Sequence, residues 1–198
     1  MPTEQTLIQR WQAGDERAAE ALYQQHYRRV FHLAYGLLGD VAEAEEAAQD
    51  ALAYALINIG RYEPRLSQFS TWLHTITVSR CRDQQRKRRL ATLSLSSWLG
   101  WGKELAAPAA NPERRLVAKE EQNAIWTAVQ TLSPPLREAI VLRHWGGATG
   151  DGHTYREIAD IVGCPIGTAQ SRVRLAYQQL SQRLSTSELA LLAEENLS

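Results

Sequence analysis

The sequence predicts an all-α chain of two small helical domains joined by a flexible linker. Three observations carry that reading. Apolar residues recur at steps of three and four, and no stretch shows the two-residue alternation of a strand. Capping residues and glycines punctuate these stretches at helical lengths. Residues 91–112, ATLSLSSWLGWGKELAAPAANP, are rich in Ser, Ala, Gly and Pro and lose the periodicity. The expected boundaries are a first domain over 1–90, the linker over 91–112, a second domain over 113–185 and a tail over 186–198. A chain of 198 residues suffices for such a pair, each burying a modest core.

In the first domain, Leu22, Val30, Leu33, Ala34 and Leu37, with Tyr23 and Tyr27 alongside, mark one helix that stops at Gly39. Asp40 stands three residues before Glu43, a capping-box-like start. Val41, Ala44, Ala48, Ala51, Ala55 and Ile59 then form the stripe of a second helix, closed by Gly60. RYEPRLSQ, residues 61–68, reads as a loop, because Pro64 restricts its predecessor and Ser67 suits an N-cap. Phe69, Trp72, Leu73 and Ile76 open a third helix, whose apolar stripe fades into RCRDQQRKRR, residues 80–89.

Beyond the linker, one helix is expected over 113–130 and another from Ser133 and Pro134, which suit N-cap and N1. The compact unit TYREIADIVGCPIGTAQSRVRLAYQQL, residues 154–180, follows. Thr154 and Glu157 form a T-x-x-E capping box, Gly163 stops the first helix, and Pro165 starts the next after a very short turn. Helices joined so tightly cross steeply, which is the helix-turn-helix arrangement. In the second of them Ile166, Ala169, Val173, Ala176, Tyr177, Leu180 and Leu184 form the apolar stripe. Thr168, Ser171, Arg174 and Leu175 face away, with Gln170 and Arg172 on the flanks. Such a face suits major-groove reading, and an ordinary helical hairpin with a solvated face is the alternative.

Charge is distributed unevenly. The chain carries 22 Lys and Arg against 22 Asp and Glu, which argues against a nonspecific coat on nucleic acid but allows a local patch. RCRDQQRKRR holds six cations and one carboxylate. It reads as a solvated helix end, a localisation tract or a nucleic-acid surface. The aromatic and polar residues before it suit opened DNA, where bases can stack, although the spacing of Trp72 also makes it a core residue. Residues 40–50 hold five acids and no cation, either a solvated face or a surface for a protein partner.

Other classes are weakly supported. No apolar run approaches the roughly 20 residues that span a bilayer, and MPTEQTLIQRWQAGDER lacks the order of a signal peptide. The expectation is a cytoplasmic protein without membrane insertion. Cys81 and Cys164 are isolated, with neither a disulfide framework nor zinc spacing. No Ser-His-Asp order, phosphate loop or nucleotide fingerprint appears, so an enzyme is the weakest reading and no catalytic residue, metal or cofactor is expected. His144, Asp151 and His153, beside the connection GGATGDGH, do not make a metal set.

GDVAEAEEAAQDALAYAL, FSTWLHTITVSRCRDQQRKRR, LSPPLREAIVLR and YREIADIVGCPIGTAQSRVR occur in this order, and together they resemble regions two and four of bacterial RNA polymerase sigma factors. Without an intervening third domain, the chain is similar to the extracytoplasmic-function subgroup. The resemblance implies partners: core RNA polymerase, promoter DNA and an anti-sigma factor. It places Glu45, Glu46, Gln49, Asp50 and Leu52 on the polymerase. It gives capture of a flipped base at the proximal promoter element to residues 61–68, with Arg61, Arg65, Ser67 and Gln68 as contacts. It gives the opened strand to Trp72, Ser79, Arg80, Asp83 and Arg86, with Arg88 of the basic run on phosphates. Thr168, Gln170, Ser171, Arg172 and Arg174 would read the distal element.

The chain departs from the family at Ser79, where Asn is usual, and at Leu175, where Arg is frequent. Its connection GGATGDGH is about five residues longer than usual and carries four glycines. Trp98 and Trp101 stand in the linker, and the tail SELALLAEENLS has the pattern of a short amphipathic helix. The alternative function is a stand-alone helix-turn-helix regulator that binds duplex DNA as a dimer.

Overall fold

In a computed structural model the described residues are 2–99, 118–145 and 152–184, with side chains described over 2–90, 124–145 and 152–184. They form helices α1 (Glu4–Gln12), α2 (Glu16–Leu38), α3 (Val41–Ile57), α4 (Phe69–Leu99), α5 (Ala118–Gln130), α6 (Pro134–Trp145), α7 (Tyr155–Val162) and α8 (Ile166–Leu180), with a 3-10 turn at Ile59–Arg61. No strand occurs among them. Residues 100–117, Trp101 included, Asp151 and the tail lie outside the described residues, and of Trp98 only the helical backbone is described.

Helix α1 has no counterpart in the sequence expectation. Thr3 caps it, Leu7 and Ile8 are buried, and Trp11 donates its indole N–H to the Leu56 carbonyl at 2.8 Å. Asp15 caps α2 and pairs with Arg10 at 2.6 Å, so the short helix is tied back to its neighbour. Gly39, at φ +76°, ends α2, and Asp40 accepts from the Glu43 amide to start α3. Ala44, Ala47, Ala48, Ala51 and Ala55 are fully buried, and their small side chains let α3 pack closely on α2 and α4.

Three stripe assignments are corrected. Val41 is 53% exposed, because the first helical position points outward. Ile166 is 47% exposed for the same reason at the start of α8. Ile59 is buried as expected but sits in the 3-10 turn, α3 having ended at Ile57. Helix α4 also runs on to Leu99, through the first nine residues assigned to the linker.

The core has two parts. One lies within α1–α4, around Leu22, Val30, Leu52, Phe69 and Leu73. The other is built from both halves: Leu33, Ala34, Leu37, Val78 and Cys81 pack with Val129, Leu136, Ile140, Val141, Ile158 and Val173. Close approach depends on Gly36, where a Cβ would lie 2.8 Å from a Val141 methyl and 2.9 Å from the Trp126 ring.

Polar groups complete this seam. The final carbonyls of an α-helix lack partners within it. The Gly36 carbonyl accepts from Gln130 at 2.9 Å, and that of Leu37 accepts from Arg137 at 3.0 Å and Gln85 at 3.1 Å. The second half thus caps a helix of the first. Arg82 of α4 donates two bonds of 2.7 Å to the buried Glu138 carboxylate of α6, the bidentate geometry that gives a charge-assisted pair direction as well as strength.

Candidate polymerase and nucleic-acid interfaces

Helix α4 presents three faces, because successive residues turn by about 100°. Phe69 and Leu73 enter the first core, and the Arg80 guanidinium lies 4.6 Å from the Tyr54 ring centre on the same side. Thr71, His74, Val78, Arg82 and Gln85 meet the second half of the chain. Trp72, Thr75, Ser79, Asp83 and Arg86 form the third face, which stays open. Trp72 is half-buried: its ring packs on Tyr62 at 5.5 Å and Phe69 at 5.8 Å and keeps one side accessible.

The loop before α4 is held without being covered. Tyr62, buried, donates its hydroxyl to the Ser67 carbonyl at 3.1 Å, while Arg61, Arg65 and Gln68 are exposed and Ser67 is half-buried. Tyr54 of α3 links loop and helix, since it lies under Arg80 and its hydroxyl accepts from Arg61 at 3.5 Å. Sequence reasoning missed Tyr54, and also Leu66, exposed at the loop tip.

The structure brings some predicted strand contacts together and separates others. Trp72, Ser79, Asp83 and Arg86 share the open face, and Asp83 and Arg86 pair at 2.8 Å. Arg80 lies roughly a quarter-turn away on Tyr54. Arg88 points to the opposite side, 3.7 Å from Glu43.

On α3, Glu45, Glu46, Gln49 and Asp50 are exposed along one side. Leu52 is not among them: although it follows Glu45 by two helical turns, at 2% exposure it belongs to the core, at the edge of the buried face. Ala42, Ala53 and Ile57 extend the outer face instead, with Ile57 80% exposed. Their spacing from Glu46, Gln49 and Asp50 is the signal that would have found them.

In the helix-turn-helix, Thr154 accepts from the Glu157 amide at 3.3 Å and Glu157 accepts from the Thr154 amide at 2.8 Å. Burial pushes the Glu157 carboxyl up, but these bonds, His153 and Thr71 together hold it below its ordinary value. Gly163, at φ +72°, closes α7. Ala169, Val173, Ala176 and Leu180 are buried, leaving Gln170, Ser171 and Arg174 exposed and Thr168 half-buried. Arg172 lines a groove of about 400 Å³ with Arg82, Arg86, Arg89 and Glu138, so the basic run and the flank of α8 meet.

The remaining reactive groups are enclosed. Burial, and then Glu138, pushes the Cys81 thiol up to about 12, which leaves it protonated and inert. Burial, and then Arg143, pushes His144 down to about 4, beside the Tyr177 hydroxyl. Among the described residues, no three His, Cys, Asp or Glu are placed to hold a metal ion.

Residues 22–91 match the family model for Sigma-70 region 2, and residues 122–180 match that for Sigma-70, region 4. The chain belongs to the sigma-70 family, in its extracytoplasmic-function subgroup. RNA polymerase sigma-H factor of Pseudomonas aeruginosa is 27% identical over 186 residues, 91% of this chain and 93% of its own. ECF RNA polymerase sigma factor SigW of Bacillus subtilis is 28% identical over 182 residues, covering 89% and 94%. Among solved structures, the sigma factor RpoE of Bartonella quintana, in complex with the anti-sigma factor NepR, superposes with a TM-score of 0.60 at 29% identity, over 81% of this chain and 92% of that one. The protein is therefore an RNA polymerase sigma factor, whose region 2 is α2–α4 and whose region 4 is α5–α8.

Proposed function

We propose that this sigma factor divides its work among three exposed surfaces. The outer face of α3, with Glu45, Glu46, Gln49 and Asp50 and the apolar end at Ile57, binds core polymerase. Loop residues Arg61, Arg65, Ser67 and Gln68 capture a base at the proximal element, and Trp72, Ser79, Asp83 and Arg86 hold the opened strand. Helix α8 reads the distal element through Thr168, Gln170, Ser171, Arg172 and Arg174. The observation that carries this reading is that α4 keeps one face open, in line with the exposed loop, although its other two faces are packed.

The chemistry follows from the residues present. Unpairing a base costs a few kcal/mol, and stacking returns about 1–3 kcal/mol per base where an aromatic is available. Trp72 is the accessible aromatic on the open face. The neighbouring cations neutralise phosphates, which makes binding salt-dependent. Arg80 supports the loop through Tyr54, and Arg88 reaches phosphate only after leaving Glu43.

The factor acts in the cytoplasm as a non-catalytic initiation subunit; among the described residues no helix is long and apolar enough to cross a membrane. An anti-sigma partner is proposed from the likeness to RpoE, solved with NepR.

The test is transcription of a promoter library by core polymerase loaded with this chain. Trp72→Ala reduces output from duplex promoters and far less from promoters with a pre-opened bubble. Arg174→Ala relaxes selection at one distal base, by about 1–3 kcal/mol. A chain that ignores core enzyme and protects a two-fold operator as a dimer contradicts the proposal and restores the regulator reading.

A further inference from the structure

The long connection GGATGDGH ends in two residues that the promoter-reading surfaces do not use. Gly152 has φ +74°, and a Cβ there would lie 1.6 Å from the Arg143 carbonyl oxygen, so only glycine fits. The His153 amide donates to the Leu142 carbonyl at 2.9 Å, and Arg143 donates to the His153 carbonyl at 3.1 Å. The end of the connection is thereby folded back onto α6. This sends the His153 ring across the seam to α4, where its Nε2 lies 2.7 Å from Nδ1 of His74. Both histidines are 1% exposed, and their rings meet edge to face with centres 5.0 Å apart.

We propose that His74 and His153 form a proton-sensitive latch between region 2 and region 4. A hydrogen bond between two imidazoles needs one N–H and one lone pair at the facing nitrogens. The pair keeps that bond when both rings are neutral and when they share one added proton. With a proton on each ring both facing nitrogens carry hydrogen, two positive charges meet in a buried place, and the contact is lost.

The surrounding charges set the window. On α7, Glu157 lies 3.7 Å from Nδ1 of His153 and favours one added proton. Thr71 of α4 also donates to that carboxylate, at 3.4 Å, and so ties it to the seam. Burial opposes a proton on His153 most strongly and holds it below its ordinary value despite Glu157, while on α6 the Arg143 guanidinium is engaged by the His153 carbonyl. Separated regions leave both histidines near the ordinary value of about 6.5. The closed form resists protonation of the pair, so it is complete above about 6.5 and weakens as pH falls, by at most about a hundredfold per pH unit for the two protons that the separated histidines can take up. His144, pushed down to about 4 by burial and then Arg143, stays neutral across that window and faces Tyr177 of α8 within region 4.

The test uses the full chain, with donor and acceptor dyes at Gln24→Cys and Gln179→Cys on exposed positions of α2 and α8, in a Cys164→Ser background. Energy transfer is followed from about pH 7.5 to about pH 5.5. The latch predicts one short distance at neutral pH and a growing long-distance population below about pH 6.5. His153→Gln, which keeps a donor and an acceptor but cannot titrate, stays closed throughout, and His74→Gln does the same. Far-ultraviolet circular dichroism remains helical in all three, which separates opening from unfolding. A wild-type chain closed at every pH overturns the proposal, as does opening of both Gln variants at the wild-type pH.

Discussion

The two charged surfaces of region 2 are opposite in more than sign. On the acidic side, Glu45, Glu46 and Asp50 form no ion pair among the described residues and stand in solvent along α3. On the basic side, Arg82 is bound to Glu138, Arg86 to Asp83, and Arg88 approaches Glu43. One surface is ready for a partner, whereas the other is partly engaged inside the molecule. The zero net charge therefore conceals an asymmetry: the closed form withholds cations and leaves the acids available. The pair of Arg82 with Glu138 also holds region 4, so release of that cation loosens the seam.

The engaged side should be the more sensitive to substitution. Glu138→Gln removes the charge partner of Arg82 in a bidentate pair whose carboxylate is buried and whose guanidinium is partly exposed, and should destabilise the closed chain by about 1–2 kcal/mol, read as a lower urea midpoint. Gly36→Val forces a side chain into the contact with Val141 and Trp126. An overpacking cost of about 1–3 kcal/mol is expected, together with a longer distance between dyes on α2 and α8. Thr154→Ala removes the cap of α7, and about 1 kcal/mol should be lost from region 4, seen as faster amide exchange in α7 and α8. Asp83→Asn breaks an exposed pair and should change stability by less than about 1 kcal/mol. A loss as large as that of Glu138→Gln would remove the distinction between exposed and engaged pairs.

Local signals in the sequence carried most of the secondary structure. The Thr154–Glu157 box, Gly163, Gly39 and Asp40 each mark a helix end found in the fold, because caps depend on a few neighbouring residues. Helix α1 was missed although Thr3, Leu7, Ile8 and Trp11 have helical spacing, because one short turn-and-a-half of apolar residues is a weak periodic signal.

The candidate surfaces were legible where exposure follows from periodicity, as for Gln49, Ser79 and Arg174. They were illegible where a distant segment decides exposure or pairing. Leu52 is drawn into the core beside Ala48 and Ala51, and Arg88 turns towards Glu43. The seam itself left no pattern: Gly36 and Val141 lie far apart in the chain, and neither residue is unusual in its own helix.

The most direct test of the acidic side is the equilibrium affinity of the full chain for core RNA polymerase, measured beside the double variant Glu46→Lys, Asp50→Lys. The expected result is binding by the wild type and a loss of about a hundredfold in the variant, since like charges placed across an interface cost several kcal/mol. The thermal midpoint should stay nearly unchanged, because both side chains are solvated. Equal affinity of the two proteins for core enzyme would contradict the assignment of the α3 face to polymerase.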